Sequence, residues 1–169
     1  MLDAARHYNE EFGADADSVA IILGLQRAHA LLLGSVENFV DSLDLGVNLS
    51  LGRLRMLRAI YFGDNHTVTL NDLGRLVKVS RTNITNLIDA MERDGLVRRT
   101  INLVDRRVIN AELTPRGLEV CAIVLPAIAR YMEEVTQGFT GQEKVVFVDL
   151  FSRLQGELST HGDADEASF

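Results

Sequence analysis

The sequence predicts a mainly α chain with a small β-wing, and three observations carry that expectation. Apolar residues recur at three-, four- and seven-residue spacing along most of the chain, the period of an amphipathic helix. Beyond Gly95 the pattern changes to two β-branched runs, Leu96–Ile101 and Val108–Leu113, joined by a short loop with adjacent arginines, Arg106 and Arg107. A hydrophobic content of 47% in 169 residues suffices for one compact domain, or for one domain plus an oligomerisation arm.

Taken in order, residues 1–17 are polar and acidic with Tyr8 and Phe12 as their large apolar anchors, which fits a loose arm or a short helix laid on a partner. Residues 18–49 hold a long helix from Val19 to Leu43 whose apolar band is wide enough for contacts on two sides, one of them another subunit, although burial in a single core would look similar. Residues 50–113 form the head. Ser50 caps a helix to Phe62, with Leu54, Leu57, Ile60 and Tyr61 inward and Arg53, Arg55 and Arg58 outside, on a solvated face or against phosphates. Gly63 to His66 make a turn, and Thr67-Val68 are placed to add a third strand beside the hairpin.

Thr69 and Asp72 mark the start of the next short helix, by the hydroxyl cap and the negative charge near its N-terminus. Ser80 is a second N-cap, and Ile84, Leu87, Ile88 and Met91 form the core stripe of the helix it opens. The opposite face carries Arg81, Thr82, Thr85, Asn86 and Asp89. Short donor-acceptor side chains near a helix N-terminus suit base edges in a DNA major groove, while an ordinary solvated face explains them equally well when taken alone. Gly95 ends that helix as a left-handed C-cap glycine. The hairpin loop, Asn102 to Arg107, is the sharper signal: an arginine at a hairpin tip can enter a narrow minor groove, held in one orientation by the neighbouring Asp105.

Helix, turn, helix, then a strand-loop-strand with Asp105-Arg106-Arg107 and a closing Leu113-Thr114-Pro115-Arg116-Gly117 resembles the winged helix-turn-helix of the MarR family of bacterial transcription regulators. The resemblance runs in length and helix order from about Asp17 to Leu158, and its specific part is VSRTNITNLIDAMERDGLVRR joined to DRRVINAELTPRG. It implies a winged helix-turn-helix head on a helical dimerisation region, with Ser80, Arg81, Thr82, Thr85 and Asn86 on the DNA-reading half of the recognition helix. It also implies that Arg107 is the wing arginine, Asp105 its orienting partner and Arg106 a phosphate contact. The family's proteins are homodimers on near-palindromic operators, and many lose DNA affinity when a small, often phenolic, effector binds. The implied function is therefore a homodimeric regulator of transcription, a repressor released by an effector; the alternative is a winged-helix module that binds protein and not DNA.

After the hairpin, residues 114–160 are expected to form two helices, the first opened by Thr114 and Pro115 and bent or interrupted at Pro126, the second opened by the capping box Thr140 to Glu143. The tail, 161–169, is acidic and expected to fray. The terminal helices are apolar over more than one head could cover, which a two-fold dimer explains more economically than a thick monomeric core.

The formal charge of −7 is unevenly divided: residues 66–117 carry nine basic against six acidic side chains, and the remainder eight against eighteen. The local potential steers a polyanion, so an acidic body beneath a basic head is compatible with DNA. His7, His29, His66 and His161 are scattered without metal-ligand spacing, the single Cys121 excludes an intramolecular disulfide, and no catalytic constellation or cofactor motif is present. No apolar run approaches the ~20 residues of a membrane span and the amino terminus has no signal-peptide pattern, so a cytoplasmic protein is expected. A ligand pocket at the junction of head and dimerising helices would draw on Arg27, His29, Arg53 and Tyr61.

Overall fold

The computed structural model describes residues 2–77, 81–102 and 105–166, and the predicted mainly helical fold with a small β-wing is what it shows. Seven α-helices and three strands follow in the order α1 (Leu2–Phe12), α2 (Ala16–Asp41), α3 (Leu51–Tyr61), β1 (Thr67–Thr69), α4 (Leu70–Val77), α5 (Arg81–Arg93), β2 (Val97–Ile101), β3 (Ile109–Leu113), α6 (Pro115–Val135) and α7 (Gly141–Glu166) among the described residues, with one 3-10 turn, Asp64–His66, before β1. The chain forms two compact units, Met1–Ile128 and Ala129–Phe169.

The amino-terminal segment is a helix packed on α2, with Ala5 buried and the Tyr8 and Phe12 rings 5.7 Å apart. Gly13, at φ +68°, turns the chain, and Asp15 accepts from Ser18 N–H at 2.8 Å, so α2 starts two residues before Ser18. α2 buries Val36 and Val40 near its C-terminal end, while Ile21, Ile22, Leu31 and Leu32 are exposed. By length and composition this helix could cross a membrane, which corrects the expectation that no segment could. Gln26, Arg27 and His29 lie at its middle, where an arginine would cost roughly 2.5–3.5 kcal/mol in a bilayer, so an apolar protein surface is the better match.

The head is a helical core closed by a small sheet. Met56, Leu57 and Ile60 of α3, Leu73 and Val77 of α4, and Ile84, Ile88 and Met91 of α5 interlock and exclude solvent. The sheet has the order β1-β3-β2, all antiparallel, with Val97 opposite Leu113, Arg99 opposite Ala111 and Thr67 opposite Glu112. The short third strand expected at Thr67-Val68 is therefore present. Leu96, Val97, Ala111 and Leu113 turn inward from the sheet to the helices.

Thr114 fastens sheet to helix. Its hydroxyl donates to the Gly95 carbonyl at 2.5 Å and accepts from Gly117 N–H at 3.0 Å, capping α6 as the sequence predicts. A Cβ at Gly117 would lie 2.0 Å from the Leu96 carbonyl oxygen, so only glycine lets α6 approach the start of β2 this closely. Val120, Cys121 and Val124 then bury one stripe of α6. Pro126 lies inside α6 without ending it, and helix continues to Val135.

In the second unit, Thr140 and Glu143 complete the predicted capping box: Thr140 N–H donates to the carboxylate at 2.8 Å and Glu143 N–H to the Thr140 hydroxyl at 3.3 Å. The tail expected to fray from His161 is instead helical as far as Glu166. The Phe139, Phe147 and Phe151 rings form a ladder at 6.1 and 6.3 Å, and Val145, Val146, Phe147, Val148 and Leu150 are exposed.

Gly117→Ala should lower stability by about 1–3 kcal/mol in urea unfolding, because its methyl meets backbone that cannot yield; an unchanged midpoint would mean that α6 can withdraw from β2. Burial pushes the Cys121 thiol up to about 11, so at pH 8 only about one in a thousand would be ionised. Native protein should therefore resist alkylation at pH 8 and react only on unfolding. The folded thiol titrates above an unfolded one, near 8.5, so its contribution to stability is complete below that pH and is lost as pH rises toward 11.

Candidate nucleic-acid interface

Two elements of the head present polar and basic groups to solvent, α5 and the β2–β3 hairpin. On α5, Ile84, Ile88 and Met91 commit one face to the core, which leaves Thr82, Thr85 and Asn86 exposed on the other. Arg81 is the first residue of the helix; its side chain, and all of Ser80, lie outside the described residues. The first turn of α5 holds no carboxylate, so its N-terminal partial positive charge is not cancelled locally.

The carboxylates are at the other end. Asp89, Glu92 and Asp94 lie where the helix dipole disfavours negative charge, and each is taken up by an arginine from another element. Arg99 of β2 donates from Nη2 to Asp89 Oδ1 at 2.5 Å and from Nη1 to Glu92 Oε2 at 2.6 Å, while its backbone N–H reaches Glu92 Oε1 at 3.0 Å. Arg53 of α3 donates to the Asp94 carboxylate and, at 2.5 Å, to the Asn48 carbonyl.

At the hairpin tip, Asp105 accepts from Arg107 three times: from its backbone N–H at 3.0 Å, from Nε at 3.2 Å and from Nη2 at 3.3 Å. The side-chain bond first, and the backbone bond after it, hold the Asp105 carboxyl below its ordinary pKa, so the pair stays charged well into mild acid. Arg107 remains 92% exposed in its side chain, an oriented and accessible cation. Asn102 Oδ1 accepts from Asp105 N–H at 3.1 Å and fixes the turn from inside, and Arg106 is exposed beside it. Across the hairpin, Arg98 pairs with Glu112 at 2.5 Å.

The expected ligand-pocket set is not brought together. Arg53, expected on the outer face of α3, is buried and paired, because its carboxylate partner, Asp94, lies one residue beyond α5 and its carbonyl partner in the segment before α3. The Tyr61 ring stacks on His66 at 5.0 Å, and Arg27 and His29 are exposed on α2. A shallow apolar cavity of ≈ 270 Å³ in the second unit is lined by Phe139, Gln142, Glu143, Val146, Phe147 and Leu150, and by none of the four. Among the described residues there is no cluster of three or more His, Cys, Asp or Glu suited to a metal.

Residues 49–109, from the start of α3 through the hairpin loop, match the family model of the MarR family. The HTH-type transcriptional repressor YetL of Bacillus subtilis is 30% identical over 144 residues, covering 83% of this chain and 84% of YetL. The crystal structure of Sco3205, a MarR family regulator from Streptomyces coelicolor in complex with DNA, superposes with a TM-score of 0.76 at 18% identity over 86% of this chain and 93% of that one. NadR in complex with 4-hydroxyphenylacetate shares the fold at a TM-score of 0.63 and 20% identity, over 79% and 91% of the two chains. With a repressor relative at this identity along most of both chains, and the family model centred on α3 to the wing, the chain belongs to the MarR family of transcription regulators.

Proposed function

We propose that the chain is a cytoplasmic homodimer that represses transcription by binding a near-palindromic operator in double-stranded DNA, and that a small aromatic or phenolic effector releases it. The observation that carries this reading is the pairing of a carboxylate-free, exposed N-terminal half of α5 with an accessible wing arginine clamped by Asp105. Thr82, Thr85 and Asn86, with Ser80 and Arg81 ahead of them, face the base edges in a major groove. Asn86 has the paired donor and acceptor that adenine matches. Arg107 enters the flanking minor groove, where a narrow groove concentrates negative potential, and Arg106 meets phosphate.

The exposed apolar side chains of α2 and, in the other unit, those of α7 each support a second copy as their cover, since apolar faces of this kind are rarely left bare on a monomer. Two heads related by a two-fold would read half-sites roughly one helical turn apart, about 10 base pairs. The repressor relative and the 4-hydroxyphenylacetate held by NadR support repression and a phenolic effector respectively. A second reading, a winged-helix module that binds protein, is favoured by the net charge of −7.

The test is selection of duplexes from a random library, followed by titration of the selected site. Arg107→Ala should weaken binding by about 1–3 kcal/mol while leaving the dimer intact on sizing, and full affinity in that variant would sink the wing assignment. Asn86→Ala should relax base preference at one position of each half-site with little change in affinity for unrelated DNA. Wild-type affinity should fall steeply as salt rises; a salt-independent interaction, or no enriched duplex, would favour the protein-binding module.

A further inference from the structure

We infer that Arg53 is a positioning residue for DNA reading: from outside the interface it fixes the seat of α5 and thereby the sequence discrimination of the head. The inference rests on the reading of α5 as the recognition helix. Among the described residues Arg53 is the one charged side chain that is buried, at 8% exposure. Its guanidinium bonds the Asn48 carbonyl, in the segment that joins α2 to α3, and the Asp94 carboxylate, one residue beyond α5. Its Nε is also buried and has no partner.

Stability alone does not call for this residue. Arg53 lies on α3 beside Leu54, Met56 and Leu57, all buried, and an apolar side chain there would leave no buried N–H unbonded. Buried ion pairs often contribute little net stability over apolar substitutes, and their best-attested return is a defined geometry. The geometry defined here is that of one helix end. Arg99 holds Asp89 and Glu92 from the β2 side, and Arg53 holds Asp94 from the α3 side, so the C-terminal end of α5 is tied in two directions.

Leverage makes that tie matter. Thr82 is twelve residues from Asp94, about 18 Å along a helix, so a tilt of about 10° about the Asp94 end moves Thr82 by about 3 Å. A hydrogen bond to a base edge does not survive such a shift, whereas attraction to a phosphate largely does. The expected signature is therefore a loss of discrimination, not of DNA binding as such. Because Asn48 belongs to the segment leading out of α2, the same side chain also links that segment to the reading helix.

The experiment compares wild type with Arg53→Met, which keeps volume and removes the charge, and with Asp94→Asn, which weakens the same bond from its more exposed side. Affinities for the operator selected by wild type and for a scrambled duplex are measured at one salt concentration, with amide hydrogen exchange of the free proteins alongside. The ratio of specific to non-specific affinity should fall at least about tenfold in each variant, with non-specific affinity within about twofold of wild type. Exchange should accelerate in the last two turns of α5 ahead of the other helices. The double variant should be no worse than the worse single one, as expected when both act through one bond. If Arg53→Met does not fold, Asp94→Asn decides. A folded variant with an unchanged ratio, or with both affinities falling together, would overturn the inference. If wild type itself prefers no duplex, the reading of α5 fails; uniform exchange across the helices would then reject the positioning role independently of DNA.

Discussion

The ionic anchorage of the C-terminal end of α5 is the constraint on which the head depends. A helix that presents its N-terminal half to a polyanion gains from its dipole only if its own carboxylates are placed elsewhere. Here they are, at Asp89, Glu92 and Asp94, and Arg99 and Arg53 consume all three. The partly exposed Arg99 pairs are worth little individually as stability, and the buried Arg53 pair little more than an apolar substitute. Their value is that the strand bearing Arg99 and the helix bearing Arg53 are placed relative to α5 by bonds of fixed direction, and the hairpin follows from the strand. The spacing between helix and wing arginine is thus set by the same contacts that neutralise the helix.

A second layer of constraint is backbone closeness. Thr114 bonds Gly95 and Leu96 while capping α6, and Gly117 lets α6 touch the strand entrance. The wing therefore springs from a base that has no slack at its inner end, while at its tip Asp105 and Asn102 supply organising side-chain bonds among the described residues. Root and tip together leave Arg107 exposed to solvent yet tied to Asp105, so its side chain has less freedom left to lose on binding a partner.

Much of this was legible in the residues because the signals are local. Thr69 with Asp72, Thr140 with Glu143, and Thr114 before Pro115 each announce a helix start within four residues, and each cap is formed. The stripe Ile84, Ile88 and Met91 likewise separates the inner from the outer face of α5. Arg53 was not legible, since its partner is 41 positions away and amphipathic periodicity assigns an arginine to the outside by default. The same holds for Asp89, which a helical pattern shows as one more exposed polar group until β2 brings Arg99 beside it. Residues 2–12 were ambiguous because few of their apolar groups are needed to hold a helix against α2, with Ala5 the buried one. The helical path of α7 past His161 has no apolar signal, since Gly162, Asp163 and Asp165 give the pattern of a tail.

Glu92 does one thing more. In the β2–β3 pairing the odd-numbered residues of β2 turn their N–H groups away from β3, onto the outer edge of the sheet. An open edge is a template on which a strand of another molecule can add, and small sheets carry this hazard in full. The Arg99 N–H, at the centre of that edge, is already donated to the Glu92 carboxylate. A strand arriving from another molecule therefore finds the central donor of this edge already taken.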